Sequence, residues 1–141
     1  MNASDGDNAS VTLANGGFSN FLLVTNFGFA IPTSATIQGI FVEIEKASSG
    51  AGGGSIQDYA VRLIKGGVIQ VAESKLNASL WPSVKAYFAY GDDEDLWTNT
   101  WAPADLNADN FGVAIAAVEA SGENIKNAIV DHVRITVYYL P

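Results

Sequence analysis

Residues 36–46 read TIQGIFVEIEK, and this stretch decides the class of fold. Ile40, Val42 and Ile44 lie on one side of an extended chain, and the acidic residues that alternate with them, such as Glu43, lie on the other. Alternation of β-branched and polar residues with period two indicates a strand with one buried face. The sequence therefore predicts a sheet that packs against something else.

The same alternation continues outward from this strand. It recurs at residues 56–65, 83–90 and 127–140, while residues 111–118 (FGVAIAAV) are continuously apolar, as expected of a central strand covered on both faces. The Gly-Gly pair at 66–67 indicates a hairpin turn. With turn signals at intervals of about ten residues, the pattern predicts an all-β, antiparallel β-sandwich or jelly-roll-like fold of about eight strands. The predicted core residues are Ile40, Val42, Ile44, Val61, Leu63, Val113, Ile115, Val133, Ile135 and Val137.

The irregular segment 90–114 is expected to connect one sheet to the other. It contains Trp97, Trp101 and Phe111, and large aromatic rings in such a segment usually bury apolar area at the end of a sandwich. We expect these three rings to pack on one another or on the sandwich edge. The alternative interpretation is an exposed platform on which a ligand stacks. A helical turn is predicted at residues 103–106, where Pro occupies the first position.

The chain of 141 residues suits one domain, predicted to span residues 16–141. Residues 1–15 are small, polar and acidic, and have too little apolar content to fold alone. They are predicted to form a flexible N-terminal arm, either disordered or laid along a neighbouring molecule. The candidate partner-binding residues of this arm are Asn2, Ser4, Asp5, Asp7 and Asn8.

Composition excludes several classes of function. The net charge of -8 argues against binding to nucleic acid or to anionic lipid, because both need Lys and Arg. The same charge is compatible with docking onto a more basic protein. The chain has no Cys, so disulfides and thiolate zinc sites are excluded, and we expect no cofactor. Its start, MNASDGDNAS, does not resemble a secretory signal, and no apolar run is long enough to span a membrane.

Few residues indicate catalysis or metal binding. His132 is the single His and lies in a predicted strand, so we interpret it as structural and expect no enzyme activity. An acidic run offers oxygen ligands of the kind that Ca²⁺ prefers, but it lacks EF-hand spacing, and a solvated loop is the simpler interpretation. The members of this weak calcium candidate are Asp92, Asp93, Glu94 and Asp95.

Four stretches resemble a domain found in virion structural proteins of tailed bacteriophages. They are TNFGFAIPTSATIQGIFVEIE (25–45), DYAVRLIKGG (58–67), YGDDEDLWTNTWAPADLNADNFGVAI (90–115) and VDHVRITVYY (130–139). Chains with this resemblance look like head decoration, tail or fibre components. The resemblance implies no catalytic residues for this chain.

The resemblance and the small size together imply a capsid decoration (cement) protein, made in the host cytoplasm and located on the virion surface. Its expected partners are the major capsid protein and copies of itself, in a trimer that suits the local three-fold positions of a shell. The alternative is a tail, fibre or baseplate tip module that binds host glycans through exposed aromatics, namely Trp97, Trp101 or Tyr87.

Overall fold

The computed structural model describes residues 7–50, 55–122 and 125–141. Within these ranges the chain forms eight strands and one short helix. In order they are β1 (Ala9–Ala14), β2 (Leu22–Thr25), β3 (Thr36–Ser49), β4 (Ile56–Lys65), β5 (Val68–Ile69), β6 (Ala86–Tyr90), α1 (Pro103–Asn107), β7 (Gly112–Glu119) and β8 (Ile125–Leu140). The predicted all-β class is confirmed, and α1 lies where the helical turn was expected.

The strands of the described ranges form two antiparallel sheets. Sheet A has the order β1-β8-β3-β6, and sheet B has the order β2-β7-β4-β5. Every connection between successive strands crosses from one sheet to the other, except the β4–β5 hairpin at Gly66-Gly67. This alternation produces the predicted sandwich with jelly-roll-like connections, and it places the long strands β3 and β8 beside each other in sheet A.

Apolar side chains from the inner faces of both sheets form the core. Val42 lies opposite Ile135 in sheet A, and Val61 lies opposite Ile115 in sheet B. Burying each such side chain contributes roughly 1.5–3 kcal/mol. Val137 is half-buried, and the remaining predicted core residues are buried: Ile40, Val42, Ile44, Val61, Leu63, Val113, Ile115, Val133 and Ile135.

Two bulges change the faces that simple alternation assigns. In β4 the register with β7 shifts between Asp58 and Ala60, so that Asp58 is buried and Tyr59 is exposed. Strict alternation instead placed Tyr59 on the same face as Val61, and that assignment is wrong because a bulge inserts an extra residue into one strand. In β8 the register with β3 skips Asp131, which is also buried.

The predicted N-terminal arm is too long. Ala9–Ala14 is β1, which pairs with β8 at the edge of sheet A, and Leu13 is buried in the core. The polar composition of residues 1–15 suggested an arm that does not fold. An edge strand is held by backbone hydrogen bonds and needs few buried side chains, so a polar segment can still form one. Asp7 and Asn8 precede β1 and are exposed, whereas Asn2, Ser4 and Asp5 lie outside the described residues.

The connection between β6 and β7 packs its rings inward. Trp97 is buried, and its indole N–H donates to the carbonyl oxygen of Ile40 at 2.9 Å. Trp101 is also buried and meets Phe111 edge-to-face at 5.5 Å between ring centroids. Gly91 has a φ of +76°, and a Cβ there would lie 2.7 Å from the Trp97 indole nitrogen. The aromatic rings therefore pack into the sandwich. The Ile40 carbonyl and the Trp97 ring together leave no room for a side chain at Gly91.

We predict that Trp97→Ala lowers the free energy of unfolding by roughly 3–5 kcal/mol, because it leaves a cavity and an unpaired carbonyl at Ile40. Val84→Ala is the control, since Val84 is 77% exposed and should change stability little. Chemical denaturation of the three proteins measures both effects. Wild-type stability in Trp97→Ala would contradict the buried role of this ring.

Glu119, the last residue of β7, links the loop before β2 to the turn that follows β7. The carboxylate accepts hydrogen bonds from the Ser121 hydroxyl at 2.5 Å, the Gly122 N–H at 2.8 Å and the Gly16 N–H at 2.9 Å. Hydrogen bonds to the carboxylate, of which the one from the Ser121 hydroxyl contributes most, lower the pKa of Glu119 to about 2. The ionised carboxylate is thus the form that the fold requires.

This lowered pKa predicts an acid-dependent loss of stability. The contribution of Glu119 is present above the ordinary pKa of 4.5 and is lost as the pH falls towards about 2. Glu119→Gln should therefore be less stable than wild type at neutral pH and should lose less stability between those two pH values. Urea titrations across the window test this, with the exposed Glu94→Gln as a control for the change in net charge. Parallel pH dependence in wild type and Glu119→Gln would contradict it.

Candidate binding surfaces

The acidic run does not assemble a metal site in the described structure. Asp92, Asp93 and Glu94 are exposed, whereas the Asp95 carboxylate accepts a hydrogen bond from the Trp97 N–H and pairs with Lys75 Nζ at 2.5 Å. No group of three or more His, Asp or Glu residues within the described ranges is arranged to hold a metal ion. The acidic run therefore forms the turn that leads into Trp97.

The aromatic residues predicted as alternatives for ligand stacking separate into two groups. Trp97 and Trp101 are buried, so their ring faces do not meet solvent. Tyr87 is exposed, on edge strand β6. Of the three, only Tyr87 lies where a ligand could reach it in this structure.

Tyr87 belongs to a polar cluster on the outer face of sheet A, which we call the tyrosine–histidine cluster. Tyr87 and His132 both pair with Glu45, one on each side of β3, and the Tyr87 hydroxyl lies 2.7 Å from His132 Nδ1. Arg134 lies 4.0 Å over the Tyr87 ring and donates to both Glu43 carboxylate oxygens, at 2.6 and 2.9 Å. These contacts fix the ring and leave its hydroxyl end at the surface.

Two carboxylate oxygens beneath this cluster have no hydrogen-bond donor among the described residues. They are Oε2 of Glu45 and Oδ1 of Asp131, and both atoms are buried. The other Asp131 oxygen pairs with Lys85 Nζ at 2.6 Å. Burial, followed by the negative charge of Glu45, raises the pKa of Tyr87. Because both atoms are buried, a ligand at the surface would meet the Tyr87 ring and the partly exposed Glu43 and Arg134 side chains rather than these oxygens.

A second surface lies on the outer face of sheet B, and we call it the apolar groove. It has a volume of about 490 Å³. The Tyr59 ring packs on that of Phe18, with 4.5 Å between their centroids, and both side chains are about half exposed or more. The groove residues are Phe21, Tyr59, Ala60, Arg62, Ile69, Val71, Ser74 and Leu76, with Phe18 beside Tyr59.

The groove results from the β4 bulge and from small residues. The bulge exposes Tyr59, and Ala60 pairs with Ala116 of β7 on the same outer face. Because alanine is small, these two residues form the floor of the groove, and the larger side chains around them form its walls. Val71 is 84% exposed and Leu76 is 47% exposed, values that are unusual for aliphatic side chains grouped together on a free protein. Among the groove residues, Arg62 is the single charged one.

Sequence reasoning missed the groove for a specific reason. Strict alternation placed Tyr59 on the same face as Val61, while Val71 was assigned to a returning strand at 68–72 and Leu76 to a connection at 73–82. A signal was present in the sequence, since Val71, Leu76 and Leu80 place three aliphatic residues in the stretch between β5 and β6. No helix in the described part of the chain is long and apolar enough to span a membrane.

Comparison with known proteins supports the fold. No protein-family model matches the chain, and no curated protein matches it. A solved structure described as "CBM4 structure and function" is similar, with a TM-score of 0.52 and 12% sequence identity over 96% of this chain and 87% of that chain. At this identity the likeness shows a shared β-sandwich and does not transfer a ligand.

Proposed function

We propose that this protein is a non-catalytic structural component of a virion, which docks on the assembled capsid shell through the apolar groove. The observation that carries this proposal is the grouped exposure of Val71, Leu76, Tyr59 and Phe18 on one sheet face. A monomer in water gains roughly 25 cal/mol per Å² when such a surface is covered. A partner that covers it is therefore favoured.

Charge supports a protein shell as the occupant. The chain carries a net charge of -8, yet the groove holds no acidic side chain and one cation, Arg62. A partner can thus insert apolar side chains into the groove without meeting carboxylates there. Basic residues around the partner's inserted side chains would meet the acidic remainder of the surface. The resemblance of the core stretches to phage virion proteins supports a capsid protein as that partner.

We predict that Val71→Asp weakens binding to undecorated capsid shells at least about tenfold, because it places an unpaired carboxylate in an apolar contact. Val84→Asp is the matched control, since Val84 is exposed to 77% and lies outside the groove. Co-sedimentation with shells of the virus that encodes the protein measures binding. Light scattering on the same samples tests the trimer that the sequence led us to expect. Equal binding by the two variants would contradict the docking surface.

The start of β1 at Ala9 decides how the arm should be tested. Deleting residues 1–15 would remove β1 from sheet A along with the preceding residues. A truncation that ends before Ala9 keeps the strand and removes only the segment that could extend along a neighbouring subunit. The proposed contribution of the arm to docking is the difference in shell binding between that truncation and the full chain.

Binding of host glycans is a second candidate, favoured by the tyrosine–histidine cluster. Tyr87 presents an exposed ring, and the partly exposed Glu43 carboxylate beside it, which is paired with Arg134, has further capacity to accept hydrogen bonds. Sugar hydroxyls are donors of the required kind. The similarity to a structure described by the name CBM4 agrees with this candidate at the level of fold.

If the glycan candidate holds, Tyr87→Ala should lower affinity for host surface polysaccharide about tenfold, the effect of losing one aromatic contact. Tyr139→Ala is the control, because Tyr139, which lies on β8 opposite Ile37, is 39% exposed and Tyr87 is 37% exposed. Immobilised polysaccharides extracted from host cells serve as the probe. Absence of binding by the wild type would remove this candidate and leave the docking proposal unaffected.

A further inference from the structure

A lysine and an aspartate meet in the centre of the sandwich, away from both surfaces. Lys46 is on β3 of sheet A and Asp58 is on β4 of sheet B, and their side chains are fully buried. Lys46 Nζ lies 2.5 Å from Asp58 Oδ1. The contact is therefore a direct link between the two sheets.

Aromatic rings enclose this pair and exclude water from it. Lys46 Nζ lies 4.3 Å from the centre of the Phe88 ring, 4.8 Å from that of Trp81 and 5.3 Å from that of Tyr90. Burial lowers the pKa of Lys46, which favours the neutral, nucleophilic amine. Two charges held in such surroundings also carry a large desolvation cost, which their conversion to a neutral product would remove.

Tyr90 connects the two reacting groups. Lys46 Nζ donates to the Tyr90 hydroxyl at 2.5 Å, and that hydroxyl donates to Asp58 Oδ2 at 2.6 Å. Burial raises the pKa of Tyr90, so its hydroxyl keeps a proton while it passes another along. The relay can move one proton from the ammonium to the carboxylate, leaving a neutral amine beside a neutral carboxylic acid.

We propose that Lys46 Nζ and Asp58 Cγ form an amide, an intramolecular isopeptide bond that joins the two sheets covalently. The neutral amine attacks Cγ, and the electron pair of the C=O bond moves to Oδ1, which the Trp81 indole N–H holds at 2.8 Å. A proton then passes from nitrogen through Tyr90 to Oδ2, the Cγ–Oδ2 bond breaks, and the C=O bond re-forms at Oδ1. The ammonium and carboxylate are converted to one amide and one water, with no oxidant or cofactor.

Intact-mass spectrometry of the denatured full chain tests the bond. We expect the wild-type mass to be lower than that of the unmodified chain by one water. Lys46→Arg, which keeps the cation and removes the amine nucleophile, should have its unmodified mass. Tyr90→Phe should show the unmodified mass or acquire the bond more slowly, because the relay is missing.

Trypsin locates the bond. Lys46 is the first basic residue of the chain and Arg62 is the second, so an unmodified chain yields peptides 1–46 and 47–62. The bond blocks cleavage after Lys46 and gives one peptide, 1–62, lighter by one water. Water loss by cyclisation at Asp5-Gly6 would leave the cleavage after Lys46 intact and is thereby distinguished. Separate peptides 1–46 and 47–62 at unmodified mass would overturn the proposal, and Lys46 and Asp58 would then form an ordinary ion pair. Complete bond formation in Tyr90→Phe would overturn the role of Tyr90 as proton relay.

Discussion

The contact between Lys46 and Asp58 is the constraint on which the two-sheet arrangement depends. Apolar side chains favour any packing that buries them, whereas a buried cation has to reach its partner in one particular alignment of the sheets. Asp58 also accepts hydrogen bonds from the Trp81 indole, the Tyr90 hydroxyl and the Asn77 N–H, so that both carboxylate oxygens are satisfied. Asp58 thus holds Asn77 and Trp81 in place, and its contact with Lys46 sets the position of sheet A on sheet B.

The sequence predicts the strands well because each is a local pattern. Alternation in residues 36–46 and 56–65 requires no knowledge of the partner strand, and the buried rings at Trp97 and Trp101 follow from their size. The bulges at Tyr59 and Asp131 escape such reasoning, because a bulge depends on the register between two strands far apart in sequence. For the same reason, Lys46 and Asp58 gave no sign in the sequence that they would meet inside the core.

The binding surfaces were harder to predict than the core. The Val71 and Leu76 side chains belong to no regular strand, so period-two reasoning does not apply to them, and the groove exists because the β4 bulge brings Tyr59 to the same surface. The tyrosine–histidine cluster similarly requires β6, β3 and β8 to lie side by side. Tyr87 was among the residues selected from the sequence, but its neighbours Glu45 and Asp131 were not.

The resemblance to phage virion proteins follows the core more closely than the groove. The four similar stretches cover most of β3, β4 and β8, half of β7 and the connection between β6 and β7, whereas Phe21, Val71 and Leu76 lie outside them. Residues that close a sandwich are constrained by packing, whatever the sandwich attaches to. Groove residues would be constrained only by a partner, so chains that share this fold can differ in what they bind. Under the proposed virion function, the choice between head and tail therefore depends on what fits against Val71 and Leu76.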